Sequence, residues 1–165
     1  MAAPAHVLVV ANLTAASTQL LEALKARAER SPIRVTLVIP AQGPGLGGRE
    51  AARSRLEEAL AGMRAAGLDA NGVVGDADPM DAVAECFDPA RHDEAFVCTL
   101  PGRSSKWLQF DFPHRVARFT GVSVTHVVAD DLRPAPATGP APAHERAALG
   151  PLSVLAWGGR STERR

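Results

Sequence analysis

A short segment in the second half of the chain carries the side chains best suited to hold a phosphate. Each of its residues is either small, a hydroxyl donor or positively charged: Gly102, Arg103, Ser104, Ser105 and Lys106. The glycine allows backbone N–H groups to approach an anion, and the hydroxyl and cationic groups add donors and charge. The segment follows an apolar run that ends at Thr99, which predicts a binding loop at the carboxyl end of a strand.

Asn12 and Thr14 form a second polar group, directly after the apolar run 6–11 near the start of the chain. Asp111 and His114 form a third, at the predicted start of a later helix. A carboxylate at a helix N-terminus takes a place where a phosphate would otherwise bind. All three groups can serve one site only if the fold brings them together.

Apolar runs and helical periodicity alternate along the chain. The continuous, β-branched runs predict strands at 6–11, 33–39, 68–75, 93–99 and 122–128. The segments between them predict helices at about 18–30, 49–66, 79–87 and 111–119. Ser17 or Thr18 is expected to cap the first helix, and Asp78 the third.

This alternation predicts an α/β fold with a five-stranded parallel sheet, order 3-2-1-4-5, and helices on both faces, Rossmann-like in architecture. In such a sheet the chain reverses direction between the first and fourth strands, and ligands bind at their carboxyl ends. Asn12, Thr14 and the loop 99–106 are therefore expected to share one pocket. The predicted α/β domain covers residues 1–130.

Residues 131–165 differ in composition from the rest of the chain. They contain two Pro-rich stretches, which predict a semi-rigid linker, and then the apolar run 151–157. We interpret that run as an edge strand docked on the domain. The alternatives are a strand that binds a partner protein and an apolar tail that does not dock on the domain.

Composition argues against several classes of protein. The formal net charge is zero and the pI is near 7, which disfavours a nucleic-acid binder or a polybasic membrane anchor. The first residues lack a secretory signal, and no run reaches the roughly 18 apolar residues of a membrane span. We therefore expect a cytoplasmic protein.

Several motifs have simpler explanations than a catalytic or metal site. The glycines of 43–48 match a dinucleotide-binding pattern, but three residues separate them from the strand, so we predict a flexible loop. Cys86 and Cys98 lack metal-ligand spacing and are expected to be small buried side chains. The five histidines show no paired spacing either, so no metal is predicted.

Residues 6–129 resemble the universal stress protein family, in a variant common in actinobacteria. The resemblance rests on these segments: Val7 to Asn12, Gly75 to Pro79, Thr99 to Pro101, Ser105 to Leu108, Asp111 to Val116 and Val124 to Val127. It implies a cytoplasmic stress or regulatory role and a homodimer formed through the last strand, 122–128. It does not identify a protein signalling partner.

Members of that family that bind ATP carry a glycine pattern after the fourth strand, from which this chain departs. Ser105 stands where the pattern has its second glycine, and Phe110 and Asp111 stand where it has a later Gly-Ser/Thr pair. After the first strand, where ATP-binding members usually have an aspartate, this chain has Asn12. The resemblance thus implies a non-enzymatic regulatory protein with a degenerate nucleotide pocket. One alternative is an ATP- or AMP-binding member that uses the loop 99–106. The other is a small enzyme that acts on a nucleotide or acyl phosphate, with His114 as its base.

Overall fold

Five parallel strands form one open sheet in the computed structural model, which describes residues 3–42, 45–102 and 105–130. The strands are β1 (Ala5–Val10), β2 (Ile33–Pro40), β3 (Asp69–Gly75), β4 (Glu94–Thr99) and β5 (Ser123–Val128). They lie in the order β3-β2-β1-β4-β5, and every neighbouring pair is parallel. The predicted fold class and strand order are confirmed.

The central strand β1 is apolar on both faces because helices cover both faces of the sheet. Val7 and Val9 point into one buried cluster, and Leu8 and Val10 into the other. All four side chains are fully buried. This two-sided burial explains why the strand is a continuous apolar run and lacks the polar–apolar alternation of a half-exposed strand.

The helices are α1 (Thr18–Arg30), α2 (Gly45–Ala65), α3 (Pro79–Cys86), α4 (Lys106–Gln109) and α5 (Phe112–Thr120). Apolar residues of α1 and α2 pack in the first cluster, and those of α3, α4 and α5 in the second. Ser17 caps α1 by accepting the N–H of Leu20. Asp78 caps α3 by accepting two N–H groups, so both predicted caps are confirmed.

One local prediction is wrong, and one short helix was not predicted. The glycine-rich segment 43–48 was expected to be a flexible loop, but α2 already begins at Gly45. The helix extends through the glycines because its long apolar face, with Ala52, Leu56 and Leu60, is anchored on the sheet. The four-residue helix α4 was not predicted, since one turn is too short to show periodicity.

A close contact joins α2, β2 and β3 at Gly72. A Cβ placed there would lie 2.4 Å from the carbonyl oxygen of Leu37 and 2.7 Å from a methyl carbon of Leu56. No other residue type fits without displacing the backbone. This glycine, which makes β3 look weak as a strand in sequence, is required by the packing.

The two cysteine side chains differ in burial. Cys98 is buried as expected, Cys86 is half-buried, and both are free.

Residues 131–165, with the Pro-rich linker and the apolar run 151–157, lie outside the described residues. No helix within the described residues is both long and apolar enough to cross a membrane.

Candidate functional site

A pocket of about 290 Å³ opens where β1 and β4 end. Its volume is near the lower end of the range for small-molecule sites, roughly 300 Å³ and above. It is lined by Asn12, Leu13, Thr14, Gln42, Cys98, Thr99, Leu100, Ser105, Lys106 and Trp107. Five predicted site residues thus lie together: Asn12, Thr14, Thr99, Ser105 and Lys106.

Thr14 holds the loop after β1 against β4. Its hydroxyl donates to the carbonyl oxygen of Cys98 at 2.9 Å, and its side chain is buried. The Cys98 thiol lies 3.8 Å from the Ser17 hydroxyl, and burial raises the pKa of that thiol. The thiol is therefore held in its neutral form, and Thr14 and Cys98 shape the pocket wall.

Thr99 is paired with a histidine that the sequence did not single out for function. The Thr99 Oγ1 lies 2.8 Å from the His126 Nε2, and Thr99 is only 2% exposed. Burial lowers the pKa of His126, which favours the neutral imidazole. This pair connects the floor of the pocket to the edge strand β5.

Asn12 belongs to a hydrogen-bonded group whose other members sequence reasoning missed. The Asn12 amide nitrogen donates to the Gln42 Oε1 at 2.6 Å, and the Arg55 guanidinium donates to the Asn12 Oδ1 at 3.1 Å. Gln42 follows the end of β2, next to β1, so its position after a strand was an available signal. Arg55 lies within α2, and no pattern in the sequence indicates that it reaches Asn12.

The predicted phosphate loop is described only in part. Gly102 has a φ of +48°, a left-handed conformation that favours glycine, and its carbonyl accepts the N–H of Ser105. Ser105 is buried, and Lys106 is exposed at the first position of α4. Arg103 and Ser104 lie outside the described residues.

Asp111 and His114 lie at the start of α5. Asp111 is the N-terminal cap residue, with a φ of 51°, and its exposed side chain makes no capping hydrogen bond. His114 is exposed in the first turn. Neither is among the described residues that line the pocket, so the structure does not bring them together with Asn12 and Lys106.

Apolar side chains form the remaining wall of the pocket. Trp107 is 9% exposed and packs against Phe112, with ring centroids 4.8 Å apart. Both rings belong to the second buried cluster, as expected for side chains that pack beneath the loop. Leu13, at 50% exposure, lies at the mouth of the pocket.

Within the described ranges, no three His, Cys, Asp or Glu side chains are grouped so that they can hold a metal ion. No protein-family model matches the chain. No curated protein is significantly similar to it. The described residues form a parallel α/β domain with a small pocket at the switch point between β1 and β4.

Proposed function

We propose that this chain is a cytoplasmic regulatory domain, similar to universal stress proteins, that binds a small molecule without transforming it. The observation that supports the proposal is the pocket at the carboxyl ends of β1 and β4. Ligands of open α/β sheets bind at this switch point for a topological reason, because the connecting loops diverge there and leave a crevice. Asn12 and Lys106 supply polar groups in that crevice.

Internal hydrogen bonds support a binding role over a catalytic one. Thr14 lines the pocket, but its hydroxyl already donates to the carbonyl oxygen of Cys98. His114, the base expected for an enzyme, is exposed on α5 and apart from the pocket lining. The groups that remain for a ligand are suited to recognition.

The alternative ligand that the family resemblance offers is a nucleotide, either ATP or AMP. The test is the melting temperature of the full chain with ATP and magnesium, and separately with AMP. A bound nucleotide stabilises the folded state by about 2.7 kcal/mol at 100 times its dissociation constant. A rise in melting temperature at millimolar nucleotide supports this ligand, and its absence with both nucleotides removes ATP and AMP from the proposal.

The proposal includes a homodimer formed through β5. This strand is an edge of the sheet, and none of its six residues carries a formal charge when His126 is neutral. Edge strands of monomeric proteins usually carry charges or prolines that block pairing. A two-fold pairing of β5 with its copy would cover this edge.

A second candidate function is enzymatic, and the Thr99–His126 contact favours it. A hydroxyl 2.8 Å from an imidazole nitrogen has the geometry of a nucleophile and its base when that nitrogen is the unprotonated one. The substrate would be a nucleotide or acyl phosphate held in the pocket. Hydrolysis of ATP or acetyl phosphate that disappears in His126→Gln, with His114→Gln as the matched control, would establish this candidate. Equal rates in the wild type and both variants would exclude it.

A further inference from the structure

We infer that the pocket selects a small organic anion, and that Arg55 sets this preference by fixing the orientation of the Asn12 and Gln42 amides. The inference rests on the proposed function in one respect, namely that this pocket binds a small molecule. It adds the chemical class of the ligand, a carboxylate or phosphate attached to a flat apolar body. It also assigns a positioning role to Arg55, which does not itself line the pocket.

The polarity of the amide groups follows from the hydrogen-bonding capacity of arginine. A guanidinium has only donors, so the Asn12 side chain must turn its oxygen toward Arg55. The Asn12 nitrogen then faces Gln42, which must present its own oxygen to accept that bond. The Gln42 amide nitrogen is thereby left as a donor at the pocket rim.

The remaining polar groups of the pocket strengthen this donor character. Lys106, whose ammonium group also has only donors, lines the pocket together with Asn12 and Gln42. Over the described ranges the ion pairs are Arg27–Glu94 and Arg34–Asp69, so neither Arg55 nor Lys106 is neutralised by an acid there. None of the ten lining residues is acidic. The ligand must therefore supply acceptors and negative charge.

The apolar part of the pocket indicates the rest of the ligand. Leu13, Leu100 and Trp107 line it beside the polar groups. An aromatic or similarly flat body can lie against these side chains while its anionic group faces the amides and Lys106. The volume of about 290 Å³ suits a single ring that carries one such group.

The experiment compares three probes that share a phenyl ring: phenyl phosphate, benzoate and benzyl alcohol. Dissociation constants are measured on the full chain from the fluorescence of Trp107, in a Trp157→Phe background that leaves one tryptophan. We expect both anions to bind at least about ten times more tightly than the alcohol, because hydrogen bonds to a charged group are stronger. The difference between phenyl phosphate and benzoate shows which anion the site prefers.

Four variants test the role of the amide orientation. Arg55→Met and Asn12→Asp should lose most of the preference for anions, the first by freeing the Asn12 amide and the second by introducing a carboxylate. Arg55→Lys should retain the preference, because lysine is also only a donor. Arg53→Met is the matched control: Arg53 is exposed on the same helix, and its loss should change nothing.

The outcomes separate this inference from the proposed function. Equal binding of the alcohol and the anions overturns the inference and leaves a small-molecule pocket in place. Retention of anion preference in both Arg55→Met and Asn12→Asp also overturns it. Failure of all three probes to bind at up to roughly 20 mM, a range that detects even millimolar affinity, overturns the inference, while the titration with ATP and AMP tests the small-molecule role of the pocket separately.

Discussion

The ion pair between Arg27 and Glu94 fixes the end of α1 to the start of β4. The Arg27 Nε lies 2.6 Å from the Glu94 Oε1, and the two side chains are only 13% and 17% exposed. Arg34 and Asp69 form a pair of nearly the same length, 2.7 Å, but with side chains 45% and 60% exposed. The two pairs therefore differ mainly in burial.

Removing the acid from each pair should have very different effects. Glu94→Gln leaves a partly buried guanidinium without its counter-charge and should lower the free energy of unfolding by about 2 kcal/mol. Asp69→Asn affects an exposed, solvent-screened pair and should cost less than about 1 kcal/mol. Urea denaturation of both variants measures the difference, and equal losses would contradict the role given to burial.

His92 should make the stability of the protein depend on pH. Its ring is 8% exposed and stacks on Phe87, and its Nδ1 accepts the N–H of Asp88. Burial lowers the pKa of His92 from its ordinary value of 6.5. The folded protein therefore binds a proton at this site less readily than the unfolded chain does.

The sign of the effect follows from that difference in proton binding. The free energy of unfolding should be highest above the ordinary histidine pKa and should fall as the pH drops below about 6.5. Denaturation of the wild type and His92→Gln between about pH 7.5 and pH 5 isolates this contribution. The advantage of the wild type should shrink toward the acidic end, and an advantage that stays constant would rule out His92 as the cause.

At the scale of the elements, the packing of α2 against β2 and β3 depends on the missing side chain of Gly72. Gly72→Ala would push a methyl group into the Leu37 carbonyl and Leu56, and should cost about 2 kcal/mol. Gly62→Ala, on the exposed side of α2, meets no atom within 4 Å and should stabilise the protein by about 0.5–1 kcal/mol. Thermal denaturation of the two variants should give melting temperatures that move in opposite directions, and a parallel shift would contradict this packing.

The elements were largely predictable from the sequence because burial leaves a clear pattern. β1 and β4 are covered on both faces, and their continuous apolar runs identify them without any tertiary information. The start of α2 was not predictable, since glycine has a low helix propensity.

The candidate site was predictable to the extent that topology determines it. Thr99 is the last residue of β4, and Asn12 and Lys106 follow the ends of β1 and β4, so the strand order alone brings them together. Arg55 meets Asn12 because of the orientation of α2 about its own axis. His126 meets Thr99 through a diagonal contact between the neighbouring strands β4 and β5. Helical periodicity indicates which face of α2 is buried, but it does not specify which side chain at the margin of that face meets Asn12.

At the scale of the whole molecule, the two sheet edges should differ in their capacity for self-association. Val128 on β5 and Val73 on β3 are similarly exposed, at 39% and 44%. If β5 pairs with its copy, Val128→Lys should convert the dimer to a monomer, while Val73→Lys should leave the dimer intact. Light scattering during size-exclusion chromatography measures the mass. A monomeric wild type at about 100 µM, well above the dissociation constant of a stable dimer, would contradict the proposed interface.

The most direct test of the account is the location of ligand binding on the whole chain. Backbone amide chemical shifts of the labelled protein are recorded during titration with AMP and with phenyl phosphate. We expect changes concentrated at residues 11–14, 98–102 and 105–107, at the carboxyl ends of β1 and β4. Changes centred on any other surface, or no change with either compound, would contradict a binding site at this switch point.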